Sequence, residues 1–165
     1  MLGYRTDMTR EVNESKNVPA LPATEANKAV VRRLWSTLYT RSWDELATLF
    51  TADALYEDVP TPDPGARGPA NIVKRLRIGL DPIERFEHHA HRMIAEGDSV
   101  VFEHTEVWHF HTGEVMRNPF VSVHELRDGK IALWRDYWDV ATLMNAVPKW
   151  WVERIMQHRA EEFGG

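Results

Sequence analysis

Four stretches of strand-like sequence, each separated from the next by a short glycine-containing turn, fill much of the second half of this chain. They lie at about 84–95, 99–111, 115–126 and 131–139, with turns at Glu96-Gly97-Asp98, Thr112-Gly113 and Arg127-Asp128-Gly129-Lys130. Strands joined so closely must run antiparallel, because a parallel connection needs a crossover of a dozen or more residues. One face of the resulting sheet has to be covered, and the first half of the chain supplies the cover. Thr24, with Glu25 and Ala26 in the first turn, opens a helix carrying Ala29, Val30, Arg33, Leu34, Thr37 and Leu38 at helical spacing. Ser42 caps a second, short helix whose buried stripe is Leu46, Leu49 and Phe50. A strand over Ala54–Val59 stops at the loop Pro60-Thr61-Pro62-Asp63-Pro64-Gly65. A helix over Asn71–Leu80 follows, with Ile72, Val73, Leu76 and Leu80 on one face.

Helices first, strands afterwards and a last helix after Pro148 make an α+β pattern. The expected architecture is a curved antiparallel or mixed sheet wrapped around the N-terminal helices, leaving a cone-shaped cavity. Residues 1–22 are polar and read as an extended or mobile arm, and 23–147 as a single domain. Residues 148–165 form an amphipathic helix whose Lys149-Trp150-Trp151-Val152-Glu153-Arg154-Ile155-Met156 run serves as an oligomer contact or a lid. At 165 residues the chain can bury a real core. Its net charge of −5 argues against nucleic acid or an anionic membrane as partner. No apolar run approaches the roughly 20 residues of a membrane span, no signal-peptide pattern opens the chain, and without cysteine there is no disulfide or thiolate chemistry. A cytoplasmic protein is expected.

The chemistry concentrates on three strands. In Leu133-Trp134-Arg135-Asp136-Tyr137-Trp138-Asp139, alternation puts Asp136 on one side with Trp134 and Trp138. A carboxylate among large apolar rings is costly to ionise unless it is paired or hydrogen-bonded, which is a way to tune an acid or base. In the strand around 100–108, Phe102, His104, Glu106 and Trp108 share a face. The opposite face, Val101, Glu103, Thr105 and Val107, is also mixed, and the aromatic framing around Asp136 favours the even face as the inner one. Tyr56 and Asp58 share a parity before the Pro-rich loop and can orient water or a hydroxyl. Asn118, Phe120 and Met116 would continue the pocket wall. His89-x-His91 and His109-x-His111 each pair two imidazoles on a strand face as zinc could use, but neither has an evident third ligand, so no metal site is assigned. One of His88, His89 or His91 could instead line the cavity.

Tyr56-Glu57-Asp58-Val59-Pro60, Glu103-His104-Thr105-Glu106 and Asp128-Gly129-Lys130-Ile131 followed by Trp134-Arg135-Asp136-Tyr137 resemble the limonene epoxide hydrolase family and its SnoaL-like relatives, over roughly residues 25–145. The resemblance implies the cone-shaped α+β barrel shared with ketosteroid isomerase and scytalone dehydratase, and assembly as a dimer or higher oligomer. It implies Asp136 as general base and Tyr56 as a water-holder. His104 stands where that family has Arg, Glu106 where it has the acid Asp, and Asp58 where it has Asn. His takes and gives protons near neutral pH, whereas Arg is a permanent fork for two carboxylates.

These departures lead to the expectation of a cofactor-independent lyase acting by elimination on an apolar, aromatic hydroxylated molecule. Asp136 is the base, His104 and Glu106 the acid or relay pair, and Tyr56 and Asp58 the orienters. Trp134, Trp138, Phe102, Trp108, Asn118 and Phe120 would hold the substrate. The alternatives are epoxide hydrolysis and a non-catalytic carrier of hydrophobic ligands.

Overall fold

The structure is a computed structural model that describes residues 22–163, with side chains through 158. The expected arm therefore lies outside the described residues apart from Pro22. Helix α1 (Ala23–Tyr39) buries Asn27, Val31, Leu34, Trp35 and Leu38, a stripe at three- and four-residue spacing. It starts one residue before Thr24, with Pro22 at the N-cap and no side-chain cap. Asn27 Nδ2 donates to the Gly97 carbonyl at 3.2 Å, fixing the helix to a turn of the sheet. Helix α2 (Trp43–Thr48) is shorter than expected, because Phe50 already begins strand β1 (Phe50–Asp58).

A two-residue strand β2 (Ala66–Arg67) returns the Pro-rich loop against β1. Helix α3 (Pro69–Leu80) then begins at Gly68, whose φ of 81° suits glycine, with Pro69 in the first turn. The long strands follow as β3 (Arg85–Glu96), β4 (Ser99–His109), β5 (Val115–Arg127) and β6 (Lys130–Tyr137). The sheet order is β2-β1-β6-β5-β4-β3. Every pairing is antiparallel except β1 with β6, so the sheet is mixed, curved and unclosed. Register shifts leave extra residues in β1, in β3 at His91 and in β6 at Ala132, and such irregularities bend a strand and help a sheet curl.

Strand β6 ends at Tyr137, two residues short of the expected boundary. Asp139 instead caps helix α4 (Val140–Ala146), its Oδ1 accepting from Thr142 N at 2.6 Å. Helix α5 (Lys149–Phe163) packs against α3. Trp35 of α1 stands inside the curve, with ring centroids 4.3 Å from His104, 5.3 Å from Trp134 and 5.8 Å from Phe120 in edge-to-face contacts. Among the described residues no helix is long and apolar enough to cross a membrane.

Candidate active site

Register puts the polar groups in rows across the concave face. Asp58 of β1 pairs with Asp136 of β6, which pairs with Ser122 of β5, so three polar side chains lie side by side. Four residues back along β5 from Ser122, Asn118 pairs with Glu106 of β4. The even face of β4 is the inner one: Phe102, His104, Glu106 and Trp108 are all buried.

Asp136 is 5% exposed. Its Oδ1 accepts from Trp134 Nε1 at 2.6 Å and from the Ser122 hydroxyl, and its Oδ2 lies 3.2 Å from the Tyr56 hydroxyl. Burial pushes its pKa well above the usual carboxylate range. The negative charges of Asp58 and Glu106 add to that, against the opposing hydrogen bonds from Ser122 and Trp134. Both oxygens face hydroxyls that can reverse direction, so the protonated form is accommodated without loss of a bond. Asp58 differs. Its Oδ1 accepts from Trp138 Nε1 at 3.0 Å and its Oδ2 from Arg75 Nη2 at 2.8 Å, and both are obligate donors. The Tyr56 hydroxyl, 3.0 Å from Asp58 Oδ1, therefore bridges the Asp58 and Asp136 side chains with one proton of its own.

Glu106, 4% exposed, accepts from Tyr39 at 2.6 Å on Oε1 and from Trp108 Nε1 at 2.8 Å on Oε2. Burial raises its pKa to about 7, with Asp58 repulsion adding and the Tyr39 and Trp108 bonds opposing. The indole can only donate, so a proton on Glu106 sits on Oε1, where the Tyr39 hydroxyl can turn to accept it.

Glu106 and Asp136 line one cavity of about 400 Å³, together with Tyr56, Asp58, Trp108, Asn118, Phe120, Trp134 and Trp138. Two expected members do not reach it. Phe102 stacks on His104 at 4.4 Å behind the floor. His104 is wholly buried, covered by Phe120 at 3.8 Å and by Trp35, and burial together with the His88, His124 and His91 imidazoles pushes it down to about 2. His104 is therefore held neutral and does not line the cavity that holds Glu106 and Asp136. It reaches Asp136 indirectly, with Nε2 3.0 Å from Ser122 Oγ.

Arg75 was not foreseen. It donates to Asp58 and, through Nη1 at 2.9 Å and Nη2 at 3.1 Å, to both oxygens of Asp63 in the Pro-rich loop. Despite its burial, Arg75 holds the Asp63 carboxyl below the usual range. Ser122 and Tyr39 were also missed. Arg75 precedes the apolar Leu76 and follows Ile72 by three, so it flanks the buried stripe, and that was the available signal.

The aromatic face of α5 packs within the chain. Trp151 donates to the Gly79 carbonyl at 2.8 Å and Trp150 to Thr112 Oγ1 at 3.0 Å. Trp151, Val152, Ile155 and Met156 line the cavity. Of the paired histidines, His91 faces Thr105 Oγ1 at 2.9 Å and His109 faces Glu87 at 2.8 Å.

The curved, unclosed sheet thus holds two buried carboxyl groups in one apolar cavity. Residues 31–134 match the SnoaL-like domain. The chain belongs to that family. It is 32% identical over 114 residues, 67% of this chain and 71% of the relative, to epoxide hydrolase EphG of Mycobacterium tuberculosis. The structure of an LEH-like epoxide hydrolase from M. tuberculosis superposes with a TM-score of 0.65 at 27% identity, covering 75% of this chain and 90% of that one. A putative ketosteroid isomerase from Kribbella flavida does so at 0.61 and 25%, covering 73% and 82%.

Proposed function

We propose that this protein is a cofactor-independent acid–base enzyme that adds water across the epoxide of an apolar small molecule. The observation that carries the reading is a proton-holding Glu106 and an Asp136–Tyr56–Asp58 group lining the same apolar cavity. Ionised Asp136 takes a proton from water held against Tyr56 and Asp58. The water oxygen bonds to the epoxide carbon, the ring C–O bond breaks, and the Glu106 proton goes to the freed oxygen. The similarity to an epoxide hydrolase supports this chemistry. Elimination was expected because a histidine was to sit in the cavity, and the neutral His104 behind Phe120 weakens that ground. Positions 104 and 106 differ from the resemblance, yet burial of Glu106 supplies a protonated acid with no arginine beside it.

The test is incubation with limonene oxide, styrene oxide and cyclohexene oxide in isotopically labelled water. A diol carrying one solvent oxygen, lost in Asp136→Asn, is expected. Undiminished diol formation by Asp136→Asn would overturn the reading, as would dehydration of aryl alcohols with no action on any epoxide.

A further inference from the structure

Behind the cavity floor runs a second polar feature that the proposed chemistry does not use. His88 Nε2 lies 2.9 Å from His104 Nδ1, His104 Nε2 lies 3.0 Å from Ser122 Oγ, and Ser122 bonds to Asp136 Oδ1. His104 and Ser122 are wholly buried and Asp136 nearly so, whereas His88, on the edge strand β3, is half-buried and is the most exposed member. Four groups on four neighbouring strands are thus hydrogen-bonded in line from the carboxyl group to the sheet edge, by a route that avoids the cavity.

We propose that His88, His104 and Ser122 form a proton relay that exchanges the Asp136 proton with solvent from behind the cavity. Each member is bonded on both sides, so the chain has two polarities. When Asp136 is ionised, His88 Nε2–H donates to His104 Nδ1, His104 Nε2–H donates to Ser122, and Ser122 donates to Asp136 Oδ1. Uptake of one proton by His88 Nδ1 moves each of these protons one bond inward: His88 Nε2–H to His104 Nδ1, His104 Nε2–H to Ser122 Oγ, and the Ser122 hydroxyl proton to Asp136. The result is a protonated Asp136 that donates to Ser122, with both histidines now carrying hydrogen on Nδ1. Release is the exact reverse, and each cycle moves one proton with no charge left on the chain. The relay rests on the proposed role of Asp136 as base. When an apolar molecule fills the cavity, the relay gives that base a route to water that the substrate does not block. His88, His104 and Ser122 are positioning residues, since they act only through Asp136.

The two polarities differ in a measurable way: His104 carries its hydrogen on Nδ1 when Asp136 is protonated and on Nε2 when it is ionised. The groups facing Asp136 are Tyr56 and Asp58 on β1 and Glu106 on β4, and those facing His104 are His88 and His91 on β3 and His124 on β5. Nitrogen-15 NMR of the imidazoles, without substrate, is expected to show His104 passing from Nδ1–H to Nε2–H as pH rises through the Asp136 ionisation. The passage should vanish in Asp136→Asn and uncouple from pH in Ser122→Ala. A single His104 tautomer at all pH values in the wild-type protein would overturn the relay, as would a switch that persists in Ser122→Ala. With the epoxide that turns over best, His88→Ala should lower steady-state turnover about tenfold or more while leaving the first turnover intact, and free imidazole should restore it. Equal loss in both phases without rescue would also overturn it. Loss of diol formation in Asp136→Asn reports separately on the functional reading, and the NMR experiment needs no substrate.

Discussion

Replacing Glu106 by Gln should lower turnover sharply and stabilise the fold, and the second effect can be worked out. Glu106 is buried and its pKa rises from an ordinary 4.5 to about 7. The unfolded chain therefore releases this proton first. Between pH 4.5 and 7 the unfolded state gains a solvated carboxylate while the folded state still holds the acid, so folding stability falls as pH rises. At about 1.4 kcal/mol per tenfold change in proton affinity, the difference amounts to about 3 kcal/mol, present below pH 4.5 and lost by pH 7. Glutamine escapes that loss. Its carbonyl oxygen can accept from Trp108 Nε1, and its amide can donate to Tyr39, whose hydroxyl turns to accept.

Thermal melts of both proteins at pH 4.5 and 7.5 measure this. For a chain of this size, about 3 kcal/mol corresponds to a melting temperature roughly 6–12 °C higher for Glu106→Gln at pH 7.5. At pH 4.5 the difference should shrink towards zero. A Glu106→Gln protein whose melting temperature differs from wild type by the same amount at both pH values would refute the argument that burial holds this proton in place.

Asp136→Asn should cost about 10²–10⁴ in kcat while keeping the sheet register, read by kinetics and circular dichroism. The pH dependence of kcat should have a falling limb near 7, where Glu106 gives up the proton it must donate, and that limb should disappear from the residual rate of Glu106→Gln. Arg75→Met leaves Asp58 and Asp63 without their cation, and an expected loss of about 2 kcal/mol should appear in denaturant melts together with a fall in activity. Gly65→Ala should cost about 1–3 kcal/mol: the residue has φ 73°, and an added Cβ would meet the Tyr56 carbonyl oxygen at 2.3 Å. Because that contact bears on the β1 backbone that carries Tyr56, activity should fall with stability, which paired kinetics and melts would show.

The long strands were legible because alternation and glycine turns are local signals, and β3 to β6 fall within a few residues of where the sequence puts them. Helix α4 was not, because Val140–Ala146 is seven residues whose start depends on the Asp139 cap, and a strand reading had already claimed that aspartate. Parity placed Asp136, Glu106, Tyr56 and Asp58 on inner faces, and all four line one cavity. It could not give depth: His104 has the same parity as Glu106, but Phe120 across the β4–β5 pair and Trp35 from α1 close over it. Arg75 escaped because the pairing that gives it meaning joins a helix to a strand end and a loop, at separations of 17 and 12 residues that no local period reports.

Arg75 also shows how this chain meets the electrostatic demand that the family resemblance assigns to an arginine between two carboxylates. That arginine would favour ionisation of both acids. Here the neutral imidazole of His104 occupies the position, and the cation enters from α3 at the cavity rim, where it joins Asp58 to Asp63 and fixes the loop between them. The charge is thereby moved off the reacting pair. Asp58 becomes the group bounded by obligate donors, while Asp136 and Glu106 are left to burial, which raises both. In the proposed reaction, an acid that must be protonated and a base whose proton leaves by the proposed relay would then work in one apolar space without a cation between them. The cost is that each ionised carboxyl destabilises the fold, which is why removing the acid should strengthen the protein as it slows the reaction.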